Sequence, residues 1–182
     1  MPEISWTRLG QISARLDALP SPAHDEVLRL FGELRTPVLR YLHTLGLPVS
    51  DGEDVVQEAF LALFRHLQQE KPRDNLHGWV FRVSRNIALK RLRQNSASTG
   101  MPGEFAVVDP AANPEQLLVQ DEQDRCVRVA VCALPDLDRQ CLYLRAEGLR
   151  YREIAEILEI SLGSVAQSLS RSLGKLARAA RK

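Results

Sequence analysis

Gly148-Leu149-Arg150-Tyr151-Arg152-Glu153-Ile154-Ala155-Glu156-Ile157-Leu158-Glu159-Ile160-Ser161-Leu162-Gly163-Ser164-Val165 has the pattern of a helix-turn-helix. In such a unit two short helices meet at a tight turn, so that one of them can lie in the major groove of DNA. In the first helix Ile154, Ala155 and Leu158 form an apolar stripe, and the small Ala155 permits a close helix crossing. Ser161 is placed to cap the second helix after a turn anchored by Ile160. At 100° per residue, Val165, Leu169, Leu173 and Leu176 fall on one side of that helix, with Ser164, Gln167, Ser168, Arg171 and Lys175 opposite them. One greasy face and one hydrogen-bonding face suit a groove.

Upstream of this unit helical spacing also dominates, and no segment alternates as a strand would. Val27, Phe31, Leu34, Val38, Leu42 and Leu45 keep a helical period, with Pro37 expected to bend that helix or divide it in two. Gly46-Leu47-Pro48 closes it. A second helix is expected from about Asp51, burying Val56, Phe60, Leu63, Phe64 and Leu67, and Lys71 to Gly78 reads as a polar loop. A third runs from about Leu76 or Trp79 to Arg93, with Trp79, Val83 and Ile87 on one face. Residues 95–114 break the pattern with Ser96-Ala97-Ser98-Thr99-Gly100-Met101-Pro102-Gly103, Asp109-Pro110 and Asn113-Pro114, the composition of an extended linker. Helical spacing resumes at Glu115, interrupted at Leu134-Pro135 and Gly148. Leu9, Ile12, Leu16 and Leu19 would share a face if the first twenty residues were helical. The expected architecture is all-α: an extension (1–24), a helical bundle (25–94), a flexible linker (95–114) and a smaller helical domain carrying the helix-turn-helix (115–182).

At 182 residues, with 45% hydrophobic and 26% charged residues, the composition is that of an ordinary globular chain with modest cores. No apolar run reaches the roughly 18 residues of a membrane span, and the N-terminus lacks a basic segment followed by an apolar one, so a cytoplasmic location and no membrane partner are expected. Cys126, Cys132 and Cys141 are odd in number, form no CxxC pair and sit among apolar neighbours, which predicts reduced, buried thiols rather than a metal site. His24, His43, His66 and His77 are scattered, and no nucleophile–base–acid set is present, so neither catalysis nor a cofactor is expected. The net charge of +1 conceals an uneven distribution. Arg82, Arg85, Lys90, Arg91 and Arg93 occupy residues 79–95 with no acid, and Arg171, Lys175, Arg178, Arg181 and Lys182 close the chain in the same way. Two positive stripes on a nearly neutral protein suggest two DNA contacts.

Two helical domains, a tether and a C-terminal helix-turn-helix together resemble the small extracytoplasmic-function (ECF) sigma factors of bacteria, over residues 27–94 and 117–180. Asp51-Gly52-Glu53-Asp54-Val55-Val56-Gln57-Glu58-Ala59-Phe60-Leu61 is similar to the polymerase-binding helix of that family. Trp79-Val80-Phe81-Arg82-Val83-Ser84-Arg85-Asn86-Ile87-Ala88-Leu89 is similar to its promoter-melting helix, and residues 134–173 to its fourth conserved region. The resemblance implies that Asp54, Gln57, Glu58 and Leu61 grip the clamp helices of core RNA polymerase. Glu53 reads instead as an acid favoured by the first turn of its helix. Arg82, Arg85, Asn86, Lys90 and Arg93 would hold the minus-ten promoter element, with Arg73, Asp74 and Asn75 forming a pocket for an extruded base. Trp79 and Phe81 are candidates for stacking on bases, although Trp79 reads first as a core residue. Arg150, Tyr151, Ser164, Val165, Gln167, Ser168, Arg171 and Lys175 would meet the minus-thirty-five element. The linker would thread toward the polymerase active-site channel, and an anti-sigma factor joins core polymerase and promoter DNA as a candidate partner.

Four positions depart from the family pattern: Lys90 stands where an acid is usual, Ser84 for Ala, and Ala166 and Ser168 for Lys and Arg. The last two remove phosphate contacts, so the C-terminal domain is expected to bind DNA weakly on its own. Two other readings remain open from the residues: a helix-turn-helix regulator acting without polymerase, and a decoy that binds polymerase but reads promoters poorly.

Overall fold

The computed structural model describes residues 22–69, 71–99 and 122–179, and every regular element among them is an α-helix. The N-terminal lobe contains α1 (Pro22–Thr44), α2 (Val49–Gln68) and α3 (Leu76–Thr99), and the C-terminal lobe α4 (Glu122–Cys132), α5 (Asp136–Ala146), α6 (Tyr151–Leu158) and α7 (Leu162–Ala179). Residues 1–21 of the expected extension and most of the expected linker lie outside the described residues, as does the segment from Glu115 to Asp121; residues 22–24 already belong to α1.

Helix α1 buries Leu30, Leu34, Val38, Tyr41 and Leu42, a row set by the i, i+4 spacing of its apolar residues. It runs unbroken through Pro37, so of the bend or division expected there the division does not occur. A proline inside a helix forgoes one backbone hydrogen bond, and here the surrounding apolar row holds the helix together on both sides of the gap. At its end Gly46 adopts φ +83°, a left-handed conformation that costs glycine little, and Leu47 N–H reaches back to the Leu42 carbonyl at 3.3 Å. That turn delivers Leu45 and Leu47 to the core and sends α2 back along α1. Phe31 and Phe60 meet edge to face across the pair, with ring centroids 5.0 Å apart.

Helix α3 starts at Leu76, the earlier of the two expected starts, which ends the polar loop at Asn75, and it extends to Thr99 rather than ending at Arg93. Asn75 sets its start. With φ 54° it takes the left-handed conformation, which asparagine tolerates better than most residues, and its Oδ1 accepts the Gly78 N–H at 3.0 Å. A Cβ at residue 78 would lie 2.5 Å from the Asn75 side chain, so the cap itself demands glycine there.

The two lobes pack against each other through α3 on α6 and α1 on α5, and a single apolar cluster runs through both. Tyr143 of α5 stacks on the buried Tyr41 of α1 at 6.0 Å, and its hydroxyl donates to the Pro37 carbonyl at 2.9 Å. Burial is the main influence raising the Tyr143 hydroxyl pKa above that of an ordinary tyrosine, so this group stays a donor throughout the neutral range. Removing the hydroxyl in Tyr143→Phe should cost about 1 kcal/mol, the usual net worth of one such bond. Urea unfolding should show a lower midpoint with an unchanged slope.

Candidate polymerase and promoter surfaces

On α2, Asp54, Gln57, Glu58 and Leu61 lie on one outward arc, while Val55, Val56, Ala59, Phe60 and Leu63 line the opposite side against α1 and α3. The split follows from helical phase: the two sets are separated by about half a turn. Leu61 is 41% exposed, a large apolar side chain left among carboxylates and an amide. Phe64, expected in the buried stripe, is half-buried at its edge. Asp54 and Glu58 both receive the guanidinium of Arg91 from α3, at 3.4 and 3.2 Å.

On α3, Arg82, Asn86, Lys90 and Arg93 are exposed and fall within about a quarter turn of one another, forming a continuous basic face. Arg85 is half-buried, with Nε enclosed. Phe81 is fully buried against Tyr41, at 5.6 Å, and His77, at 5.3 Å, which removes it as a base-stacking candidate. Trp79 is half-buried, with His66 4.9 Å from its ring. In the loop before α3, Arg73 pairs with Glu26 of α1 at 3.0 Å, and Asn75 commits its side-chain oxygen to the cap of α3.

Asp74, Asn75, Gly78, Trp79 and Arg82 form one wall of a cavity of about 100 Å³. Glu153, Glu156 and Ile157 of α6 form the other. Sequence patterning gave no sign of this, because it depends on a contact between residues some eighty positions apart. Two carboxylates therefore stand opposite the loop and helix start expected to receive a base.

The helix-turn-helix is built as its sequence suggests. Ser161 Oγ accepts the Ser164 N–H at 3.0 Å and so caps α7, and Glu153 Oε2 accepts the Arg150 N–H at 2.6 Å at the start of α6. Between the helices Glu159 takes φ 57° and reverses the chain. Arg150, Gln167, Arg171 and Lys175 are exposed, and Tyr151, 39% exposed, carries the Arg145 guanidinium over its ring at 5.7 Å. Ser164 is half-buried.

Two expected minus-thirty-five residues are corrected. Val165 and Ser168 are fully buried and present nothing to a groove. Ser168 donates to Asp138 Oδ1 of α5 at 2.7 Å, and Arg171 donates to the same oxygen at 2.9 Å. Asp138 is 2% exposed, and the Arg171 hydrogen bond, aided by that of Ser168, holds its carboxyl below the ordinary carboxylate range against the opposing effect of burial. The buried arc of α7 is thus Val165, Ser168, Leu169 and Ser172, turned from the expected one, and Leu173 is 56% exposed. Small serines let α7 sit close to α5, and an acceptor buried in α5 gives Ser168 its partner.

Cys141 is buried, with burial pushing its thiol upward, but Cys132 is exposed, contrary to expectation; the Cys126 side chain lies outside the described set. Among the described residues no group of His, Cys, Asp or Glu is gathered to hold a metal ion, and no helix is long and apolar enough to cross a membrane.

Residues 30–98 match the family model for sigma-70 region 2, and residues 124–176 that for sigma-70 region 4. The RNA polymerase sigma-H factor of Pseudomonas aeruginosa is 31% identical over 153 residues, which cover 74% of this chain and 79% of that protein. The ECF RNA polymerase sigma factor SigE of Mycolicibacterium smegmatis is 30% identical over 166 residues, 88% of this chain but 62% of that relative's length. Among solved structures, the sigma factor RpoE of Bartonella quintana, determined in complex with the anti-sigma factor NepR, has a TM-score of 0.61 at 21% identity, covering 86% of this chain and 95% of that one. CnrH in complex with the cytosolic domain of CnrY has a TM-score of 0.54 at 18% identity, covering 91% and 92%. These two establish likeness of fold. Sigma factors are initiation factors and not enzymes. With both family regions matched in order on the two lobes, the chain belongs to the sigma-70 family of RNA polymerase sigma factors, in its extracytoplasmic-function class.

Proposed function

We propose that this chain is an alternative sigma factor, acting in the cytoplasm, that docks on core RNA polymerase through the Asp54–Gln57–Glu58–Leu61 ridge and directs it to promoters. The observation that carries this reading is the opposition of two surfaces on adjacent packed helices: an acid–amide–leucine ridge on α2 and a basic face of Arg82, Asn86, Lys90 and Arg93 on α3. A partner gripped by the first is held beside DNA gripped by the second. The N-terminal lobe takes the minus-ten element and α7 the minus-thirty-five element, through Gln167, Arg171 and Lys175. Arginine favours guanine and glutamine adenine in the major groove, so these side chains supply the direct readout available to α7. Polymerase performs the chemistry, and the protein contributes position and a trap for the opened strand.

In the closed packing of the lobes, Glu153 and Glu156 stand across the cavity from Asp74, Asn75, Trp79 and Arg82. Carboxylates facing that wall repel a phosphate backbone, and in this reading the lobes part before a strand enters. An anti-sigma factor is a fitting further partner, since the structural neighbour RpoE of Bartonella quintana was solved with one.

Run-off transcription with purified core polymerase tests the proposal, using promoters found by mapping transcription starts after overproduction. Transcripts that depend on the added protein support it. Polymerase binding without transcripts would favour the decoy, a reading to which Ala166 and the buried Ser168 lend weight. Binding to a palindrome without polymerase would favour a conventional regulator.

A further inference from the structure

Arg91 belongs by sequence to the basic run of α3, yet it points elsewhere. It lies nine residues beyond Arg82, which at 100° per residue puts it half a turn from Arg82 and about 100° beyond Lys90, the nearest edge of the basic face. Its side chain is 29% exposed and reaches α2, where Nη1 donates to Asp54 Oδ2 at 3.4 Å and Nη2 to Glu58 Oε2 at 3.2 Å. One guanidinium thus spans two carboxylates one helical turn apart. Like charges at that spacing repel, and long acidic side chains on a surface sample many rotamers. The carboxylates remain open to solvent, at 60% and 57% exposure, and each keeps a second oxygen that accepts neither of these bonds. The planar fork of arginine suits this task, whereas a lysine ammonium is a point charge on a flexible stem.

We propose that Arg91 is a positioning residue for the docking ridge: it fixes Asp54 and Glu58 in rotamers that offer one oxygen each to a donor-rich polymerase surface, and it makes no contact with promoter DNA. The inference rests on the ridge being the polymerase contact. Preorganisation strengthens binding because the ordering entropy has been spent before the encounter. It also sets a direction. If Arg91 merely masked the acids, removing it would tighten binding; as a positioning residue, its loss must weaken it.

The test measures the affinity of the full-length chain for core RNA polymerase, for the unaltered protein and for Arg91→Ala, Arg91→Lys, the double Asp54→Ala/Glu58→Ala and the triple Asp54→Ala/Glu58→Ala/Arg91→Ala. Arg91→Ala should weaken binding about threefold to tenfold, the range of a modest loss of preorganisation, and Arg91→Lys should recover part of it. In the background lacking both acids, removal of Arg91 should change nothing further, because its effect acts through them. Thermal unfolding should be nearly unchanged, and the salt dependence of holoenzyme binding to promoter DNA should keep its slope. Tighter binding in Arg91→Ala, unchanged binding, or a full additional loss in the triple variant would each overturn the proposal. A salt slope lowered by about one would instead make Arg91 a phosphate contact. If removing the acids leaves affinity intact while the protein still supports transcription, the docking ridge itself is misplaced and the role of Arg91 falls with it.

Discussion

Replacing Asp138 with alanine is expected to lower the unfolding free energy by about 2–3 kcal/mol, the cost of leaving a buried hydroxyl without its charged acceptor. Asp138 joins α5 to α7 by accepting from Ser168 and Arg171 on one oxygen. The two donors fare differently when it goes. The Arg171 side chain is 51% exposed and is resolvated at little cost, whereas Ser168 is fully buried and cannot reach water. Ser168→Ala removes donor and need together, so it should cost about 1 kcal/mol. Asp138→Asn keeps an acceptor for Ser168 and should fall between the two. Acid gives a second handle. The folded-state pKa of Asp138 is depressed, so its ionised form contributes stability that is present above the ordinary carboxylate range and lost as pH falls through the folded value. The stability gap between the unaltered protein and Asp138→Asn, measured by urea unfolding at several pH values, should therefore narrow as the solution is acidified below that range. A gap that stayed constant or widened would show that the charge of Asp138 is not what holds α7 in place.

Asp138 also marks the boundary of what the sequence made legible. The exposed acid–amide–leucine ridge on α2 could be read because its buried side is a row of valines, alanine, phenylalanine and leucines, leaving Asp54, Gln57, Glu58 and Leu61 no place but the surface. On α7 the same arithmetic of helical phase put Val165 and Leu169 inside, where they are, but set Ser168 outside and Leu173 inside, because a serine reads as a surface residue. Whether a serine is buried depends on an acceptor elsewhere in the fold, and Asp138 lies thirty residues away. Asn75 shows the converse. Its position before α3 was legible, but a loop asparagine with a side chain spent on a cap looks, in one dimension, like one available to a base. The contact of α6 with the loop before α3 and the Tyr41–Tyr143 stack arise from how two lobes come together, and neither lobe's pattern encodes it locally. Arg91 counted among the basic residues of α3 until its phase and partners placed it on the opposite side.

The double variant Asp54→Ala/Leu61→Ala is expected to lose on the order of a hundredfold in affinity for core RNA polymerase, with a matching loss of run-off transcripts at limiting protein. Truncating one partner of a charge pair desolvated in an interface costs about 2–5 kcal/mol, and every 1.4 kcal/mol is tenfold, so Asp54 alone supplies most of that loss if it meets a cation on polymerase. Leu61 adds the burial of an exposed apolar side chain, worth about 1 kcal/mol when half its surface is already covered. Both residues lie on the outer arc of α2, and the Asp54–Arg91 pair is long and exposed, so thermal unfolding should move little, and that separates a docking defect from a folding one. Leu28, exposed to 55% on α1, is a matched control, because Leu28→Ala removes as much apolar surface away from the ridge and should leave affinity unchanged. Raising the protein concentration should restore transcription by the double variant, because the lost free energy belongs to association and not to promoter reading. Removing charge from the other face, as in Arg82→Ala/Lys90→Ala, should do the reverse, leaving polymerase affinity intact while making holoenzyme binding to DNA weaker and its salt dependence shallower. Equal affinity of the Asp54→Ala/Leu61→Ala protein and its parent would mean that the ridge is an ordinary solvated face and that polymerase is held by some other surface.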